Sequence, residues 1–419
     1  MRRATAVIVG AGNRGKDAYG FYAAHNPDKL KIVAVAEPNE EKRLSIAKIH
    51  GIPEELCFAS WEELASKDKI ADAAIISTPD HLHVRPAIAF MEKGYDLLLE
   101  KPMATNLEDA IKIAVLAQKL NRKVIVAHVL RYTSFFSKLK ELIQSEIIGK
   151  VMSIEHKENI GYYHMAHSYV RGNWRREDET APIILTKSCH DMDILYWLVG
   201  KKSRAIASFG HLSHFRKENK PAGATERCTD GCLVERECPY SAIKIYLGKN
   251  TGWPVSVITQ DLSYEGRLKA LQEGPYGRCV YSCDNDVLDH QVVSIEFEDE
   301  ITANFTLTAF TEEITRKINI FGTKGEIIGH FEKNEIEVAV FGKEKFKIKV
   351  FPPEEGGHNG GDFQMMDAFV RMLTEPDYKG TLTSPMDSLE SHFMAFAAER
   401  SRLSGTVVNM EEFRKEFLG

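Results

Sequence analysis

Near the start of the chain, Gly10-Ala11-Gly12-Asn13-Arg14-Gly15 has the residue types and spacing to cradle a pyrophosphate. Gly10 permits a tight turn, Gly12 lets backbone approach the phosphates, and Gly15 lets a helix pack closely on a strand. A helix opening there offers free N–H groups and the positive end of its dipole. Glu37 follows at the end of the next apolar run, about 20 residues past the last glycine, where a carboxylate accepts from the adenosine ribose hydroxyls. A carboxylate repels a 2′-phosphate, so the pattern predicts NAD(H). Lys42 and Arg43, close behind, keep NADP(H) as the lesser alternative. Ser77-Thr78-Pro79 follows another apolar run and fits a loop at the carboxyl edge of a parallel sheet, where ligands bind. Asn13, Arg14 and His83 complete the first set of expected cofactor contacts.

A second constellation has metal-binding chemistry. Cys228, Cys232 and Cys238 are spaced C-x3-C-x5-C, and Cys279 and Cys283 form another C-x3-C. The usual zinc knuckle has C-x2-C pairs, so the spacing is loose. Two readings stand: a structural metal stapling a loop-rich insert, or reduced cysteines that pack. For a metal, zinc is the first expectation and an iron–sulfur cluster the second, since Cys238-Pro239 is similar to the C-P ending of ferredoxin motifs.

These residues must be held by regular elements. Strands are expected at 5–9, 31–36, 73–77, 96–99 and 123–127, with helices at 13–25, 40–50, 83–93 and 107–120 between them. That alternation predicts βαβ units and a parallel sheet covered on both faces. The pattern changes after residue 128. A helix at 134–145 and a strand at 151–157 lead into a stretch rich in Tyr, His and Arg over 159–176. One helix is expected at 187–199, and an irregular insert at about 211–285. Strands at 292–297, 302–308, 317–321, 326–331, 335–340 and 345–350 predict an antiparallel meander, and helices at 363–373 and 386–403 close the chain. The predicted class is α/β: a Rossmann domain over 1–128, then an α+β domain over 129–419 built on an open, largely antiparallel sheet.

The bulk numbers agree with a globular protein. The 419 residues are 43% hydrophobic and 27% charged, with a net charge of −6. The charge balance and the lack of a dense basic run argue against a nucleic-acid partner. No apolar stretch approaches the ~20 residues that span a bilayer. Seven cysteines, an odd number, argue against a disulfide framework, and a cytoplasmic location is expected.

Glu100-Lys101-Pro102 follows directly on the strand at 96–99. With the glycine loop, Ser77–Pro79 and the pair His190 and Asp193, it resembles the Gfo/Idh/MocA family over essentially the whole chain. The resemblance implies an NAD(H)-dependent oxidoreductase acting on a hydroxyl or carbonyl carbon of a sugar, sugar derivative or cyclitol. It implies Lys101 in the active site, beside Glu100 at the cofactor. His190 and Asp193 match the family's H-x-x-D. Many members carry an Asp four residues before the histidine, but here that position is Thr186, with Lys187 beside it. The resemblance therefore implies His190 as acid/base, with Lys187 as a second cation in the pocket.

Other substrate contacts are expected from position alone. Arg131 and Tyr132 follow the last Rossmann strand, Tyr163, His167, Arg171 and Trp174 lie in the aromatic stretch, and His358 sits in a glycine-rich turn. Asp193 joins this set. Two rival functions keep the same fold: a redox-neutral NAD-dependent glycosidase, and a non-enzymatic NAD-responsive sensor. The resemblance also implies a homodimer or homotetramer packed through the open sheet.

Overall fold

The protein is described from a computed structural model, covering residues 2–419. The first six strands are β1 Ala4–Val9, β2 Leu30–Ala36, β3 Cys57–Phe58, β4 Ala73–Ile76, β5 Asp96–Leu99 and β6 Val124–Val126. They form one parallel sheet in the order β3-β2-β1-β4-β5-β6. In β1 and β4 nearly every residue is buried, as expected when helices cover both faces of a parallel sheet. Strand order reverses between β1 and β4, so the loops leaving their carboxyl ends open a crevice there. Gly10 leaves β1 and Ser77 leaves β4.

The second sheet is built from β7 Val151–Asn159, β8 Ser203–His211, β9 His290–Phe297, β10 Thr302–Thr308, β11 Thr315–Gly322, β12 Gly325–His330, β13 Glu335–Val340, β14 Phe346–Lys349 and β15 Val408–Asn409. Its order is β14-β13-β12-β11-β7-β10-β9-β8-β15. The expected meander is therefore interrupted. β10 and β11 are consecutive in sequence, yet β7 lies between them, parallel to β10 and antiparallel to β11. Every other pair is antiparallel, so the sheet is open and mixed. β8 was not expected from the sequence. Burial alternates along β9 and β10, which puts one face on helices such as Cys189–Val199 and Pro385–Ser404 and leaves the other exposed.

The helix expected at 187–199 is also broken. Ile183–Thr186 forms one turn, the chain departs from helical geometry at Ser188, and a new helix runs Cys189–Val199. Lys187 and His190 thus do not share a continuous helix face. The insert contains short helices, Ala242–Tyr246 and Tyr264–Glu273, around a small apolar cluster of its own.

Candidate active site

The glycine loop divides its three glycines by task. Gly10 turns with φ at +92°, and a Cβ there would lie 2.6 Å from the Ser77 carbonyl oxygen. Ser77 Oγ donates to the Gly10 carbonyl at 2.8 Å, tying the two loops of the crevice together. Gly15 fits beneath that turn, where a Cβ would come within 2.0 Å of the Gly10 oxygen. Gly12 is different, because no protein atom lies within 4 Å of its Cβ position. It faces the open space in which a bound pyrophosphate is held by this loop type. Glu37 sits at the end of β2 and accepts from the backbone N–H groups of Ala11 at 2.7 Å and Asn39 at 2.9 Å. Thr78 Oγ1 is buried without a partner, and buried polar atoms are normally paired. An open cradle, an acid at the second strand and an unpaired hydroxyl at the crevice fit a dinucleotide.

Two glycine substitutions separate binding from folding. Gly12→Ala meets no protein atom, so its Tm is expected to stay within about 1–2 °C of the parent while NADH affinity falls at least about tenfold. Gly15→Ala must push backbone apart and is expected to lose both. NADH fluorescence titration and thermal denaturation check the pair. Unchanged NADH affinity in Gly12→Ala would remove the cofactor from this loop.

Glu100-Lys101-Pro102 is clamped from several sides. Glu100 accepts from Arg14 Nε at 2.6 Å, from the Tyr19 hydroxyl and from the Lys101 N–H at 3.0 Å. Burial opposes ionisation of Glu100, but Arg14 and Lys101 outweigh it and hold the carboxyl below its ordinary value. His83, fully buried, places one ring nitrogen 2.7 Å from the Pro102 carbonyl and the other 2.8 Å from the Thr78 carbonyl. It straps the two loops together. On the long helix Pro385–Ser404, His392 Nε2 accepts from the Met103 N–H at 3.0 Å. With the backbone so fixed, Lys101 Nζ reaches across and donates to the Thr186 carbonyl at 2.8 Å.

That bond brings the lysine to the second segment. His190 lies in the first turn of Cys189–Val199, 6% exposed, with Nδ1 buried and unpartnered. Thr186 Oγ1 and Ser188 Oγ are buried and unpartnered as well. Burial, then the charge of Lys101 and the neighbouring ring of His128, hold His190 well below the ordinary histidine range. It is a neutral imidazole at neutral pH, able to accept a proton. His128 and His358 flank it, with ring centroids 6.0 and 6.1 Å away. His358 and Asn359 both have φ near +52°, and such non-glycine strain is held by surrounding structure. His358 Nδ1 lies 3.2 Å from Asp362, which also pairs with Arg14 at 2.7 Å.

The comparisons with known proteins agree with this geometry. The profile of an oxidoreductase family with an NAD-binding Rossmann fold, Gfo/Idh/MocA, matches residues 4–128, and that of the same family's C-terminal alpha/beta domain matches 140–410. The chain belongs to the Gfo/Idh/MocA family of oxidoreductases. It is 26% identical over 306 residues to YteT of Bacillus subtilis, spanning 70% of each chain. It is 26% identical to the 2,7-anhydro-N-acetylneuraminate hydratase of Escherichia coli over 49% of this chain and 53% of that protein. It is 25% identical to an inositol 2-dehydrogenase of Corynebacterium glutamicum over 46% and 54% of the two chains. The last two matches span about half of those relatives' length. Among solved structures, an oxidoreductase from Agrobacterium radiobacter in complex with NAD+, L-tartaric acid and magnesium shares the fold, with a TM-score of 0.70, 14% identity and coverage of 98% and 99%.

Within this Gfo/Idh/MocA chain, several residues expected at the ligands are engaged elsewhere. Arg14 is bonded to Glu100, Tyr19 and Asp362. Asn13 is exposed and bonds Asp17. Arg131 forms a bidentate pair with Asp193 at 2.6 and 2.7 Å, buried on both sides, so both are withdrawn from the substrate set. Tyr132 is also withdrawn, bonded to the backbone and hydroxyl of Thr383. His167 stacks on Tyr276 and bonds the Tyr246 hydroxyl, and Arg171 binds backbone carbonyls of the insert. Both serve the cysteine insert. Tyr163, half-buried, packs near Trp253. Trp174 Nε1 donates to Asp80 at 2.9 Å, linking the second domain to the turn after Ser77–Pro79.

Lys187 is paired rather than free. Its Nζ lies 3.0 Å from Glu158, which also pairs with Arg316, and Arg316 and His156 both contact Asp191. Burial lowers Lys187, with Glu158 opposing. Sequence reasoning missed His128, Glu158 and Arg316. His128 follows β6, Glu158 lies on β7 and Arg316 opposite it on β11, and no local spacing marks them. The expected zinc site is corrected too, since among the described residues no group of three or more His, Cys, Asp or Glu is placed to hold a metal ion. Cys189 is fully buried and pushed up to about 12 by burial, an unreactive thiol.

Proposed function

We propose that the chain is an NAD(H)-dependent oxidoreductase that acts on a hydroxyl or carbonyl carbon of a sugar, sugar derivative or cyclitol. The observation that carries this reading is Lys101 Nζ bonded to the Thr186 carbonyl beside a neutral His190 whose Nδ1 has no partner. Gly10, Gly12, Gly15, Glu37 and the Ser77–Pro79 loop would hold the dinucleotide, which supplies a hydride acceptor or donor at its nicotinamide. Glu37 would favour NAD(H), because a carboxylate at the end of the second strand repels a 2′-phosphate.

The residues of the chain manage the proton. His190 takes the hydroxyl proton at its free ring nitrogen as the alcohol is oxidised. Lys101 donates a hydrogen bond to the same substrate oxygen and stabilises its developing negative charge. His358, partly exposed beside His190, would be a contact for a polyhydroxylated ligand. Lys187, paired with Glu158, sets the local charge rather than transferring a proton.

A second reading is a redox-neutral reaction on a glycoside or anhydrosugar, with the cofactor retained through turnover. Thr186 in place of an acid favours it, as does similarity to a protein named as an anhydrosugar hydratase. Mass spectrometry of gently purified protein decides the order of screening. Protein that comes off empty and reduces NAD+ with a sugar or cyclitol, seen as NADH absorbance, supports the dehydrogenase. Retained NAD with turnover of glycosides and no net NADH supports the second reading. Failure of every polyol, with no bound nucleotide and no NADH affinity, would overturn both.

A homodimer or homotetramer through the exposed sheet face is part of the same proposal. Met152, Phe209, Val292 and Ile328 are each more than 40% exposed on its strands. A monomer by sedimentation at micromolar concentration would count against it.

A further inference from the structure

The insert borders a cleft that the dinucleotide chemistry does not use. Its walls come from the end of the helical segment Met165–Arg171 and from the turn Pro275–Gly277, which follows the helix Tyr264–Glu273. The cleft opens to solvent and has a volume of about 470 Å³. Four arginines line it: Arg171, Arg175, Arg227 and Arg278. Glu273 is the one acid among the lining residues, and it is exposed. Neither the glycine loop, the Ser77–Pro79 loop nor the His190 segment contributes to the lining.

The four guanidiniums are short of counter-charge. Arg171 is 1% exposed. Its Nε and Nη2 donate to the carbonyls of Arg278 and Tyr240 at 2.7 and 2.8 Å, and its Nη1 is buried without a partner. Arg227 donates from Nε and Nη2 to the carbonyls of Leu271 and Gly274, where the helix Tyr264–Glu273 ends. Neither of these two forms an ion pair among the described residues. Arg175 and Arg278 do, but they share one acid: Arg175 Nε lies 2.9 Å and Arg278 Nη1 2.6 Å from Asp284 Oδ1. Glu179 adds a contact to Arg175 at 3.3 Å. Carbonyl oxygens satisfy N–H groups but leave the positive charge uncancelled, and a buried cation without a negative partner is costly. Arg227 Nη1 and Arg278 Nη2 have no protein partner among the described residues.

Excess guanidinium charge, spare N–H donors and an open cleft of this size together suit an oxyanion. Arginine donates charge-assisted, often paired hydrogen bonds to such oxygens, in a fixed planar fork. A phosphate group carries more charge than a carboxylate and presents acceptor oxygens in several directions, so it can meet donors that come from separate walls. Arg227 and Arg278 come from two such segments, joined by a single bridge between their backbones. We infer that this cleft binds a phosphate oxyanion, free or carried on a small metabolite, through Arg227 and Arg278, with Arg171 as a buried source of positive charge. The inference does not rest on the proposed function, because the two sites share no residue.

The test is isothermal titration calorimetry on the full chain in a phosphate-free buffer near neutral pH. Inorganic phosphate and a hexose 6-phosphate are the two probes, each titrated with and without NADH. The expected result is one site per chain with a Kd of about 1 mM or tighter, unchanged within about two-fold by NADH. Binding should weaken as sodium chloride is raised, because the cleft is open and its charges are screened. Arg227→Gln and Arg278→Gln are each expected to weaken it at least about tenfold while NADH affinity stays within about two-fold. If Arg227→Gln fails to fold, Arg278→Gln decides, since that side chain is only half-buried. Tighter binding of the hexose phosphate than of the free ion assigns a phosphorylated metabolite, and the reverse assigns free phosphate. Folded parent that takes up neither probe, binding that NADH abolishes, or binding unchanged in both variants would overturn the inference. None of these readouts requires turnover, so the oxyanion site and the proposed function can fail separately.

Discussion

Lys101→Met is expected to lower kcat by about 10²–10⁴ while leaving NADH affinity within a few-fold. The loop that carries Lys101 is held by Glu100, His83 and Met103, not by the lysine side chain. The ammonium group makes one hydrogen bond, to the Thr186 carbonyl, so its removal costs the fold little. What disappears is the donor that would meet developing negative charge on the substrate oxygen. The substitution also lifts a positive charge from His190 and His128, both of which Lys101 pushes down. Any low-pH limb of the rate profile should therefore move upward in the variant. Steady-state kinetics with the best polyol from the screen, across pH, checks both statements. A kcat within about three-fold of the parent would remove Lys101 from the chemistry.

Between pH 7 and pH 5 the protein is expected to lose a large part of its stability. Four of the almost fully buried histidines, His128, His167, His190 and His392, are held below their ordinary value. Burial is the leading cause that lowers each of them, to about 4 for His167, to about 3 for His392, and well below the ordinary value for the other two. The geometry agrees for His392, whose Nδ1 faces the Ser388 carbonyl while Nε2 accepts from Met103, a pattern only a neutral ring can make. A depressed histidine is neutral when folded but binds a proton when unfolded below about 6.5. Its contribution is present above that pH and is lost as the pH falls toward the folded value. Each such ring costs about 1.4 kcal/mol per pH unit in that window. Glu177, raised to about 7 by burial, works in the opposite sense and offsets about one ring. The net loss by pH 5 is on the order of 5 kcal/mol, a large share of a typical folding free energy. Thermal denaturation at the two pH values should show Tm falling by on the order of 10 °C. A Tm that is flat over this window would mean that these rings titrate normally and are not sealed as described.

The buried polar chain around Lys187 shows where local reasoning stopped. The type and nearness of Lys187 to His190 suggested a second cation in the pocket. The fold instead breaks the helix just after that residue, at Ser188, and supplies Glu158 from β7 and Arg316 from β11. β7 and β11 are neighbours only because β7 inserts between β10 and β11. A meander read from consecutive strands separates those residues. Arg131 and Asp193 fail as substrate contacts for a similar reason, since each looks available in sequence and each is spent on the other.

By itself the sequence determined the dinucleotide half of the protein and the place of its loops. Glycine spacing, an acid at the end of the second strand, continuous apolar strands and the Glu100-Lys101-Pro102 turn are all local signals. They act through backbone sterics and burial within a few residues, so they are legible one segment at a time. Only the tertiary structure decided which charged side chains stay free. Long side chains from distant strands compete for the same buried partners, and the outcome depends on strand order and on which carboxylate each cation can reach. The same holds for the cysteines, because their spacing left a metal and plain packing both open, and the cavity that four of them line with Arg171 exists only once the insert is folded.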